Sequence, residues 1–98
     1  MDTVSSQHAP LPSGFHWEVQ GAAPTKHLVA VPDASPAVWL ASIGGDGDSC
    51  IATIGRHKAR ANHIDRAFRT TAAAAGWVAR WLDRQGRSIQ EELSRDAA

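Results

Sequence analysis

The chain has 98 residues, 43% of them hydrophobic, and its ten basic and ten acidic side chains cancel. That length supports one domain with a modest core. No apolar run approaches membrane-spanning length, and the opening MDTVSSQHAPLPSG has no basic start followed by an apolar stretch, so neither a transmembrane helix nor a secretory signal is expected. A single cysteine, Cys50, excludes an internal disulfide and a cysteine metal cluster, which points to a cytoplasmic protein.

Charge is balanced in sum and uneven in place. Residues 1–55 hold one basic side chain, Lys26, against five acids, a net of −4; residues 56–98 hold nine against five, a net of +4. Such a chain can present a basic face without a basic isoelectric point. Arginine (eight) outnumbers lysine (two), and with abundant alanine this is a composition typical of a GC-rich bacterial or phage genome.

Residues 1–14 mix Ser, Pro, His and Gln and read as a disordered arm. From Phe15 to Gln20 apolar Phe15, Trp17 and Val19 alternate with polar neighbours, the period of a half-buried strand. GAAPTK reads as a turn, His27–Val31 as a second strand, and Pro32 to Pro36 as its break, because proline donates no ladder hydrogen bond. Ala37–Ile43 and Cys50–Gly55 flank GGDGDS, the clearest hairpin signal in the chain.

RHKARANHIDR, residues 56–66, reads as a polar loop or helix entrance. A helix is expected over Thr71–Gln85, with Thr70 or Thr71 as N-cap, Ala74, Trp77, Val78, Trp81 and Leu82 along the buried stripe, and Gly86 closing the C-terminus. The spacing of Ile64, Phe68, Thr71, Ala75, Val78 and Leu82 also permits a helix that begins near Asn62. Ser88 and Glu91 have the spacing of a capping box, which would open a short last helix before a frayed tail at 96–98. The expected fold class is therefore α+β: a domain over 15–95 in which a three- or four-stranded antiparallel meander is packed by one long amphipathic helix, followed by a short C-terminal helix.

Catalytic patterns are sparse. GGDGDS lacks the Gly-Lys-Ser/Thr ending of a phosphate loop and the terminal glutamate of a calcium loop. Cys50 with His57 or His63 as base has no third orienting group, and the histidines lack partners at metal-ligand spacing. No enzyme activity, cofactor or metal is expected. The stronger signal is basic: Arg56, Lys58, Arg60, Asn62, Arg66 and Arg69 stand against Asp65 alone, and these side chains neutralise phosphates or read base edges. This favours a nucleic-acid-binding accessory protein of a bacterium or mobile element. The alternative is a protein-binding module, such as a phage-type inhibitor or adaptor. It would meet a host protein or a second copy of the chain through an exposed strand edge or Trp surface.

VWLASIGGDGDSCIATIG followed by RAFRTTAAAAGWVARWL resembles the small strand–strand–strand–helix, arm-type DNA-binding modules of phage-type tyrosine integrases. Trp39, Asp46–Gly47, Phe68, Thr70, Ala74 and Trp77 or Trp81 stand in the comparable places, over about half of the chain. The resemblance implies a sheet laid into the DNA major groove.

Overall fold

A computed structural model describes residues 9–21, 27–46, 49–58 and 60–97. Five strands form one antiparallel meander in sequence order, β1 (Phe15–Gln20), β2 (His27–Pro32), β3 (Ala41–Asp46), β4 (Ser49–Ile54) and β5 (Ile64–Phe68), and one helix, α1 (Thr71–Ala97), packs on it. The expected 1–8 part of the disordered arm, most of the GAAPTK turn, and Gly47–Asp48 of the hairpin tip lie outside the described residues.

Strand alternation sorts the sheet into two faces. Phe15, Leu28, Ala30, Ala41, Ile43, Cys50, Ala52 and Ile54 form the buried core with Ala74, Ala75, Val78, Leu82 and Ile89 of α1. Residues paired across neighbouring strands share a face, as Ala30 and Ala41 or Ile43 and Ala52 do. The core thus gathers from all three central strands onto one helix stripe. Trp77 and Trp81 flank that stripe, half-buried against the core.

The helix begins as its sequence dictates. Thr70 is the N-cap: its Oγ1 accepts from the Ala73 amide at 3.1 Å, and its carbonyl accepts from Ala74 at 3.2 Å. The four alanines that follow have the highest helix propensity of any residue.

Four expectations are corrected. The sheet has five strands, not three or four, because residues 64–68 form β5 where a loop or helix entrance was expected. Ile64, Arg66 and Phe68 do alternate with Asp65 and Ala67, but an edge strand bonds one neighbour only and tolerates charge on both faces, so its pattern is weak in the sequence. This strand also rules out a helix beginning near Asn62. The third strand starts at Ala41 rather than Ala37. The second runs one residue further than expected, to Pro32, which lies past the last β2–β3 pair and so needs no donor on that side.

The fourth correction concerns the helix end. No separate C-terminal helix exists; α1 runs unbroken through Ser88 and Glu91. Gly86 is buried mid-helix instead of capping it, and a Cβ there would lie 3.0 Å from Cε2 of Phe15. The glycine opens a recess into which the Phe15 ring seats, which offsets its poor helix propensity. A bulky residue should therefore destabilise the fold. Gly86→Leu is expected to cost about 1–3 kcal/mol in denaturant unfolding despite gaining about 1 kcal/mol in propensity, and part of that loss should return in Phe15→Ala/Gly86→Leu.

Candidate nucleic-acid interface

The basic segment does not stay together. Because residues 64–68 are a strand, successive side chains leave opposite faces. Arg66 points to the helix side, with its guanidinium 5.2 Å from the Phe68 ring centroid and 5.9 Å from that of Trp77. Asp65 points to the other side, accepting a 2.8 Å hydrogen bond from Thr53 Oγ1. Arg69 is exposed in the bend between β5 and α1. Lys58 is exposed in the turn after β4, and Asn62 ends a short 3-10 turn over Arg60–Asn62. The Arg60 side chain lies outside the described atoms.

Among the described side chains of the segment, Arg56 is the member held by Ser42 and Trp39 beside an open groove. It follows β4 and lies on the face away from α1, where its Nη1 donates to Ser42 Oγ at 3.0 Å and its guanidinium sits 5.1 Å from the Trp39 ring centroid. Ser42 is buried, so the hydrogen bond fixes the guanidinium against a rigid strand. A cation over an indole face adds electrostatic attraction. Trp39 meets His27 at 6.2 Å between ring centroids, and His27 in turn lies over Gly44, where a Cβ would come within 2.8 Å of the imidazole. Gly44 therefore has to be small for this wall to form.

An open groove of about 370 Å³ runs along these groups, lined by His27, Ser42, Gly44, Ile51, Thr53 and Arg56 among others. A second, of about 340 Å³, shares Thr53 and Arg56 and reaches His63 and Asp65. Ile51 is 55% exposed beside it. Among the described residues no carboxylate lies within 4 Å of Arg56, Lys58, Arg66 or Arg69. Composition alone had pointed to the segment; the roles of Trp39, Ser42 and His27 were not visible there, since only the fold brings them to Arg56.

The other chemistry considered in the sequence is separated by the fold. Cys50 is buried at the start of β4, its thiol donating to the Thr70 carbonyl at 3.4 Å, while His57 and His63 lie beyond the far end of that strand pair. The strand from Cys50 to Ile54 alone spans about 13 Å, and both histidines lie past its end. Among the described residues no group of three His, Cys, Asp or Glu side chains is placed to hold a metal ion, and no helix is long and apolar enough to cross a membrane.

Two histidines have contrasting environments. His16 is held between Asp33 Oδ1 at 2.5 Å and Glu18 Oε2 at 2.7 Å, and hydrogen bonding to these carboxylates, Asp33 first, raises its pKa above 6.5. His57 has a side chain only 5% exposed, packed 6.4 Å from Trp81, with Glu92 Oε2 3.6 Å from its Nε2. Among the described residues neither ring nitrogen of His57 has a hydrogen-bond partner, and burial lowers its pKa below 6.5.

No protein-family model, curated protein or solved structure matches this chain.

The two histidines oppose each other in pH dependence. The His16 contribution to stability is complete below pH 6.5 and is lost as pH rises through its raised folded value. The His57 contribution is present above pH 6.5 and is lost as pH falls toward its lowered folded value. Denaturation of His16→Gln should accordingly show less loss of stability than the parent on raising the pH from 6.5. In NMR titration His16 should titrate above 6.5, and Asp33→Asn should move it down.

Proposed function

We propose that this protein is a small, non-enzymatic nucleic-acid-binding accessory protein of a bacterium or mobile element, with Arg56 on the uncovered sheet face as its phosphate anchor. The observation that carries the reading is a fixed guanidinium, seated on Trp39 and Ser42, in an open groove with no carboxylate partner among the described residues. A guanidinium held in place loses little freedom on meeting a phosphate, and its remaining N–H groups stay free to donate. The exposed Lys58, two residues on, extends the positive charge. The flat floor of Gly44, Ile51 and Thr53 leaves space for a sugar or base beside the phosphate. The resemblance to arm-type integrase modules, which present a sheet to DNA, points the same way. Arg66 and Arg69, on the β5 side, supply longer-range attraction rather than a share of this groove.

The second reading is a protein-binding module, and the exposure of Ile51 within the groove and of Ile64 (56%) on β5 favours it. Apolar groups left in water at a sheet surface are typical of contact with another protein.

Fluorescence anisotropy with labelled duplex and single-stranded oligonucleotides separates the two. On the nucleic-acid reading affinity falls steeply between about 50 and 200 mM salt, and the slope of log K against log salt drops by about one for each phosphate contact removed. Arg56→Ala/Lys58→Ala should weaken binding at least several-fold across sequences and flatten that slope, while Arg87→Ala, on the outer surface of α1, should not. Binding that ignores salt, or that survives the double substitution unchanged, would overturn the proposal.

A further inference from the structure

The two edges of the sheet are treated differently. On β1 the preceding chain folds back: Trp17 Nε1 donates to the Ala9 carbonyl at 2.8 Å, the Phe15 amide donates to the Pro12 carbonyl at 3.2 Å, and Leu11 packs against the core. Four of the six β1 residues are half-buried. On β5 four of five residues are exposed, and among the described residues it has β4 on one side and no strand on the other. Two of its five residues, Asp65 and Arg66, are charged, which guards it against indiscriminate pairing and requires a partner strand to match it in charge.

From this edge we propose that the chain self-associates, β5 pairing antiparallel with β5 of a second copy about a two-fold axis at Ala67. The charge pattern selects both the occupant and the register. Only an axis perpendicular to the sheet relates two antiparallel edge strands symmetrically, and it keeps each face on its own side, so residue numbers in opposed pairs must sum to an even value. An axis at Asp65 or at Arg66 sets like charges directly opposite each other, which is unfavourable. An axis at Phe68 would oppose Asp65 to Thr71, the first residue of α1, and so leave that acid without a cation.

The axis at Ala67 is complementary throughout. It pairs Arg66 with Phe68 and Ala67 with Ala67, and it brings Asp65 beside Arg69 of the second copy, the first residue past β5, twice by symmetry. Asp65 already has one carboxylate oxygen held by Thr53, which fixes the group while the other oxygen remains for a cation. Arg69 is exposed without a carboxylate partner among the described residues. Arg66 already lies over an aromatic ring within its own copy. Small residues meet on the axis, where close approach is required. The product is one continuous sheet with both helices on one face and both Arg56 grooves on the other. This inference stands apart from the nucleic-acid reading, because neither Arg56 nor Lys58 lies in the seam.

Sedimentation equilibrium on the full chain tests it. The expected result is a species of twice the chain mass whose dissociation constant rises about tenfold or more in D65R, where cations face each other, and recovers in D65R/R69D. On a C50A background, A67C should form an intermolecular disulfide on mild oxidation, which decides the matter if circular dichroism shows D65R to be unfolded. A monomer at all concentrations up to several hundred micromolar would overturn the proposal. So would a dimer that D65R leaves unchanged and A67C fails to cross-link.

Discussion

The structure depends on how closely one helix can lie against a sheet. Ala30, Ala41 and Ala52 of the three central strands pack in one core with Ala74 and Ala75 of α1, and Ala79 one turn on is buried as well. Small residues on both surfaces let the backbones approach, and the larger groups, Leu28, Ile43, Ile54, Val78, Leu82 and Ile89, fill the margins. Gly86 continues the pattern two turns beyond Ala79, admitting the Phe15 ring where the helix passes the edge strand. With 98 residues the chain can build one such interface, and the remaining surfaces follow from it.

One helix covers one face. On the opposite face Val29 and Val31 are nonetheless fully buried, outside the helix-side core. The connection from β2 to β3 serves that side: Trp39, near its end, meets His27 and Arg56. Toward β1 the same face closes with polar groups, His16 bonding Glu18 and Asp33, and Gln20 bonding Glu18. What remains open is the stretch over β3, β4 and β5, where Ile51 and Ala67 are exposed beside Arg56. The groove is thus the part of the sheet that no element covers among the described residues.

Much of this fold was legible in the residues. The period-two pattern of Phe15–Gln20 gave the first strand to the residue, and the threonine before an alanine run marked the helix start. Three signals misled for physical reasons. A charged edge strand carries little hydrophobic period, so β5 read as a loop. A glycine inside a helix has the same letter as one that ends it, and only the ring of Phe15, far away in sequence, distinguishes them. Trp39 read as strand bulk beside Val38 and Leu40, whereas it precedes β3 and turns to the uncovered face. The candidate site suffered most, since a basic segment is defined along the chain while a binding surface is defined across it. Alternation in β5 parted Arg66 from Arg56, and the partners of Arg56 came from β3 and the loop before it.

The charge asymmetry of the sequence acquires its meaning from topology. In a meander whose strand order equals chain order, position along the chain becomes position across the sheet. Of the acidic first half, Glu18 on β1 and Asp33 after β2 lie toward one flank, and of the basic second half Arg56, Lys58, Arg66 and Arg69 lie around β4 and β5. A fold with crossed connections would have interleaved the two halves and cancelled the difference. Here it persists as a lateral dipole over a neutral molecule. An approaching anion is drawn to the β5 flank and repelled from the β1 flank. Arg56, its guanidinium held by Ser42 and Trp39, lies on the side where that field is favourable to an anion.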